Sequence, residues 1–109
     1  MTSNSTVASE EEVLDQIADL EEYARQGKRP PRCKGYRIRV NRKTLVIHDP
    51  APTGRAILTE AGFCPPEDYT LRMKVRGGRP EKVALDQEVD LTAPGIEKFK
   101  VLPRDQTEG

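Results

Sequence analysis

The stretch Thr53-Gly54-Arg55-Ala56-Ile57-Leu58-Thr59-Glu60-Ala61-Gly62-Phe63 decides the fold, because its apolar spacing is helical while the runs on either side alternate with the period of strands. Thr53 is placed to cap a helix, Ile57, Leu58 and Ala61 give that helix a buried side, and Gly62 suits the left-handed residue that ends one. Just upstream, Asp49-Pro50-Ala51-Pro52 breaks regular structure. Before the break, Tyr36, Ile38 and Val40 share one face of a run whose other face holds Arg37 and Arg39. Asn41-Arg42-Lys43 reads as a turn, and Thr44 to His48 as the returning strand, with Leu45 and Ile47 inward.

Downstream, Cys64-Pro65-Pro66-Glu67-Asp68 is a rigid loop, after which Leu71, Met73 and Val75 alternate with Arg72 and Lys74. Arg76-Gly77-Gly78-Arg79-Pro80 is a hairpin turn, and Lys82 to Leu85 a short strand. Asp86 to Gly95 is expected to be a loop that plugs the open end of the core with Val89 and Leu91. Glu97 to Leu102 is the last strand, with Phe99 and Val101 inward, and Pro103 is expected to stop its pairing. A hairpin, one helix, two strands, a plugging loop and a final strand describe an α+β chain, a β-grasp: a mixed sheet wrapped on one helix. The domain is expected over residues 36–104.

The segment before it differs in composition. Residues 1–9 are rich in Ser and Thr and read as a disordered tail; Ser9 with Glu10, Glu11 and Glu12 reads as the capping box of an acidic amphipathic helix over residues 10–26. Val13, Leu14, Ile17, Leu20 and Ala24 form its apolar stripe, and Gly27 with Pro30 and Pro31 ends it, leaving 27–35 as a linker. Residues 1–27 hold seven acids against Arg25, a net charge of −6, so the remainder of this neutral chain carries +6. An acidic arm on a basic domain is expected. The arm is open to three readings: a gate folded over the basic sheet, a surface for a neighbouring molecule, or a solvated tether.

Of the 109 residues, 35% are hydrophobic and 33% charged, enough for one modest core and no membrane span. With no leader-like N-terminus, the expected location is the cytoplasm. Cys33 and Cys64 are too few and too isolated for a zinc site, His48 has no ligand-type neighbour at metal spacing, and an iron–sulfur cluster needs more thiolates, so both thiols are expected to be packing residues and no metal is expected. No nucleophile–base pair, P-loop or paired-carboxylate motif is present, which argues against an enzyme.

The order of elements resembles that of ubiquitin. More specifically, Tyr36-Arg37-Ile38-Arg39-Val40, Thr53-Gly54-Arg55-Ala56-Ile57-Leu58 with Ala61-Gly62, Tyr69-Thr70-Leu71, and Val89-Asp90-Leu91 leading to Gly95-Ile96-Glu97-Lys98-Phe99 resemble the bacterial multiubiquitin family. The resemblance covers residues 36–104. It implies a ubiquitin-like modifier of a bacterial operon that also encodes a ubiquitin-activating-like enzyme, a ubiquitin-conjugating-like enzyme and a JAB-type metal isopeptidase, acting in antiviral defence. This chain departs from the family pattern in having one domain rather than a tandem array and Glu108-Gly109 in place of a double glycine.

On that reading, residues 105–109 are a flexible conjugation tail and Gly109 is the point of covalent attachment. The activating enzyme, with its own ATP and magnesium, adenylates the Gly109 carboxylate; the chain itself needs no cofactor. Partners are expected to dock on the outer sheet face, where strand alternation places Arg37, Arg39, Val46, His48, Arg72, Lys74, Lys98 and Lys100. Six of these are permanent cations, so acidic partners and salt-dependent binding are expected. Nucleic acid is not the expected partner, because no aromatic interleaves the cations. Residues 1–27 contain no lysine, so conjugation onto the arm would need an ester to Thr2, Ser3, Ser5, Thr6 or Ser9, or an amide at the N-terminus. Two alternatives remain at this point, a non-covalent interaction module and a sulfur carrier.

Overall fold

The computed structural model describes residues 14–104. The Ser9 capping box, the acceptor hydroxyls of Thr2, Ser3, Ser5, Thr6 and Ser9, and the tail 105–109 with Gly109 lie outside the described residues. In chain order the elements are β1 (Leu14–Asp19), α1 (Leu20–Gln26), β2 (Cys33–Val40), β3 (Lys43–Ile47), α2 (Gly54–Glu60), a 3-10 turn (Pro66–Asp68), β4 (Tyr69–Val75), β5 (Glu81–Val83) and β6 (Ile96–Pro103). They form one mixed six-stranded sheet in the order β1-β2-β6-β4-β5, with β3 on the other edge of β2, and the architecture is a β-grasp.

Alternation places the core where the sequence predicts it. Tyr36, Ile38, Val40, Leu71, Phe99 and Val101 are buried on the inner face, where Ile57 and Leu58 of α2 are buried with them. Burying side chains of this size contributes roughly 1.5–3 kcal/mol each. Thr53 caps α2, its Oγ1 accepting from the Ala56 N–H at 3.1 Å. The helix start is held against the loop after β5: the Gly54 and Arg55 N–H groups donate to the Gln87 and Leu85 carbonyls. Only glycine fits at 54, since a Cβ there would drive into the Ala84 carbonyl oxygen. Val89 and Leu91 are buried, and their N–H groups donate to Pro52 and Pro50, so the long loop closes the core by pairing with the segment before α2.

The N-terminal segment is not the helix expected over 10–26. Its described part is a strand followed by a seven-residue helix. Tyr36 pairs with Ile47 of β3 on one edge and with Ala18 of β1 on the other, and Arg37 likewise pairs with Val46 and Asp19. β1 therefore lies on the edge of β2 opposite β3, which is the edge where β6 pairs at Val40. That leaves the Cys33–Arg37 part of the edge unclaimed by β6. An unpaired stretch of backbone beside a core is costly, and β1 fills it in parallel register, overriding helical spacing.

Asp19 then caps α1 by accepting from the Glu22 N–H, and Gly27, at φ 68°, ends it. Leu20 and Ala24 are buried, so the helix belongs to the core. Arg76 Nη1 donates to the carbonyls of Ala24 (2.9 Å) and Arg25 (3.2 Å), placing a cation on the negative end of the helix. Two boundaries also differ. The expected linker gives Cys33, Lys34 and Gly35 to β2, because the edge that β1 supplies extends the strand backwards. Pro103 is the last residue of β6, opposite Tyr69, and a strand end is a position where a missing N–H matters least.

Candidate functional site

The cations singled out in the sequence do lie on the outer sheet face, but the structure sorts them into two groups. On β2 and β3, Arg37 stands opposite Val46. Gly35, two residues earlier on the same face, leaves a hollow into which Ile17 Cδ1, Val46 Cγ1 and His48 Nδ1 converge. His48 lies beyond the end of β3 and its Nδ1–H donates to the Lys34 carbonyl at 3.0 Å. This end of the face is half apolar and is already engaged by the N-terminal unit. Asp15 pairs with Lys34 at 3.1 Å, Asp19 with Arg37 at 3.9 Å and Glu21 with Arg39 at 3.0 Å.

The second group lies on β4 and β6. Arg72 is directly opposite Lys100, and Lys74 opposite Lys98. On its other side Arg72 is opposite Lys82 of β5, and the Val40–Phe99 register sets Arg39 beside Lys98. Like charges facing each other across strands destabilise a sheet, by a few tenths of a kcal/mol to about 1 kcal/mol per pair. Only Lys74 finds a carboxylate, Glu97 at 3.2 Å, which the β-bulge between Lys74 and Val75 brings alongside. Among the described residues Arg72, Lys82, Lys98, Lys100 and Arg42 have no carboxylate partner. The Arg72 Nε is buried with no hydrogen-bond partner.

Arg42, Arg72, Lys74, Lys98 and Lys100 line an open depression of about 720 Å³ together with Pro80 and Leu102, and Lys82 lies outside its lining. Sequence reasoning missed Arg42 and Lys82. Lys82 was within reach: pairing β4 with β5 across the Arg76–Pro80 turn sets it opposite Arg72. The described residues contain no group of three or more His, Cys, Asp or Glu side chains able to hold a metal ion. No described helix is long and apolar enough to cross a membrane.

Perturbed acids lie away from this face and are structural. The Asp90 carboxyl is held below the ordinary aspartate value of 3.8 first by the Thr92 hydroxyl, with help from the Thr92 N–H, in the plugging loop. Glu67 is lowered first by its hydrogen bond from Arg55, and Glu22 by its hydrogen bond from Arg25.

The family model described as multiubiquitin matches residues 36–104, from the first buried tyrosine of β2 to the end of the described chain. The chain belongs to the multiubiquitin family. The matched multiubiquitin domain runs from Tyr36 of β2 to the end of β6 with α2, and the cations of both groups except Lys34 fall within it. β1 and α1 precede the match yet complete the sheet and core of the domain. Comparison with curated proteins and with solved structures found no match.

Proposed function

We propose that this multiubiquitin domain is a protein modifier of a bacterial ubiquitination-like pathway acting in antiviral defence. The Gly109 carboxylate attacks the α-phosphate of ATP on an activating enzyme, forming an acyl-adenylate and releasing pyrophosphate. A thiolate of that enzyme displaces AMP to give a thioester, which passes to a conjugating enzyme and then to a target amine or hydroxyl. A JAB-type metal isopeptidase removes the modifier. ATP and magnesium act on the activating enzyme; the modifier contributes its carboxylate and its docking surface, and no catalyst.

The observation that supports this reading is membership of the multiubiquitin family over residues 36–104. A terminal residue without a Cβ fits a narrow active-site channel most easily. Its test is ATP–pyrophosphate exchange catalysed by the activating enzyme encoded beside the modifier. Exchange that needs this chain and disappears when Gly109 is deleted agrees with the reading; exchange unchanged by the deletion contradicts it. Hydroxylamine treatment of conjugates then tells ester bonds from lysine amides.

A second reading, a non-covalent interaction module, is favoured by one observation: the unpaired cations of β4, β5 and β6 form a surface that needs no chain terminus.

A further inference from the structure

The N-terminal unit changes what the outer face offers. Asp15, Asp19 and Glu21 engage the cations of β2, and what remains uncompensated is confined to the other half, centred on Arg72. We infer that this half-face docks an extended acidic segment of a partner protein, one of whose carboxylates closes on Arg72. The inference deepens the modifier reading by naming the chemistry of a partner.

Three observations carry it. The first is the charge pattern. Lys100, Arg72 and Lys82 form a row across β6, β4 and β5, spanning about 10 Å at the usual strand spacing. Nothing described within the chain offsets the repulsion along this row, and an incoming carboxylate would. The second is the Arg72 Nε, a buried donor left without an acceptor. This nitrogen has no accessible surface in the present rotamer, so a partner's acid reaches it only as the side chain turns outward, where a guanidinium takes a carboxylate through two parallel hydrogen bonds. The third is spacing along the strand. Lys98 and Lys100 lie two residues apart, about 7 Å, which is also the separation of alternate side chains in an extended peptide. Acids at every second position therefore meet both lysines, and Pro80 and Leu102 offer apolar contact at the rim.

The same face is poorly suited to single-stranded nucleic acid. All five Phe and Tyr residues belong to the core or pack against it: Tyr36 and Phe99 are buried, and Tyr23, Phe63 and Tyr69 are partly buried. Phe63 and Tyr69 stack edge to face on each other, at 5.1 Å. No ring is left as a stacking platform on the cationic half.

The experiment is fluorescence anisotropy with three labelled probes: a synthetic peptide of about eight residues alternating Glu and Thr, the same residues with all Glu first, and oligothymidine of equal charge. The full chain is used without ATP or enzyme, at salt of roughly 0.05 M and 0.15 M. The alternating peptide is expected to bind best, with Arg72→Gln weakening it about tenfold and Lys100→Gln about threefold, while Arg37→Gln stays within about twofold. Lys100 is exposed, so K100Q reads the surface even if R72Q disturbs the fold, and Arg72→Lys, which keeps charge but not the fork, is expected to fall between wild type and R72Q. The inference is overturned if the alternating peptide does not bind at the lower salt, if R37Q costs as much as R72Q, or if oligothymidine binds more tightly. A Gly109 deletion is expected to bind like wild type, so failure here leaves the activation reading standing, and failure of activation leaves this one.

Discussion

Arg72 has cations on both sides, Lys100 of β6 and Lys82 of β5, and a buried nitrogen with no acceptor. Because directly opposed like charges destabilise a sheet, Lys100→Glu is expected to raise stability by roughly 0.5 kcal/mol in urea denaturation while abolishing capture of acidic peptides. A stabilised variant that has lost its binding separates surface function from folding. Tyr36 shows the reverse sign. Its hydroxyl accepts from the buried Cys33 N–H at 2.8 Å, so Tyr36→Phe leaves that donor unsatisfied and is expected to cost about 1–2 kcal/mol. Asp90 supplies the pH dependence. The Thr92 hydroxyl and N–H favour its ionised form, so its folded value lies below its unfolded value; its contribution is full above about pH 4 and disappears as pH falls through the folded value. Asp90→Ala is therefore expected to lower stability near neutrality and to flatten the acid limb of a stability-versus-pH curve.

At the scale of elements the decisive feature is the β1–α1 unit. Leu20 is 2% exposed and Ala24 fully buried, so Leu20→Ala is expected to cost about 2–4 kcal/mol in chemical denaturation. A cost near zero would mean that the unit is a tether resting on the domain. The alternation of Tyr36, Ile38 and Val40, and the spacing of Ile57, Leu58 and Ala61, are local patterns, and the elements they specify were readable from the sequence. β1 was not readable, because Leu14, Ile17, Leu20 and Ala24 fit a helix equally well. What selects a strand is the vacant edge beside Cys33–Arg37, and that edge exists only once β6 has paired at Val40. The bulge that delivers Glu97 to Lys74 depends in the same way on the pairing of two strands distant in sequence.

For the whole molecule, the acidic arm and basic domain seen in the charge count are one folded body over the described residues, joined by a parallel strand pair and three ion pairs. Face membership of the cations followed from alternation, whereas their division into engaged and unengaged halves depends on where β1 lies. The unengaged half lies within the ubiquitin-like β-grasp. The most direct measurement is intact-mass analysis and a non-reducing gel of the chain incubated with ATP, magnesium and the activating enzyme encoded beside it, comparing wild type with a Gly109 deletion. A thiol-sensitive adduct formed by wild type alone is the predicted result. An enzyme shown to be active that forms the adduct with neither chain, or equally with both, would contradict attachment through Gly109.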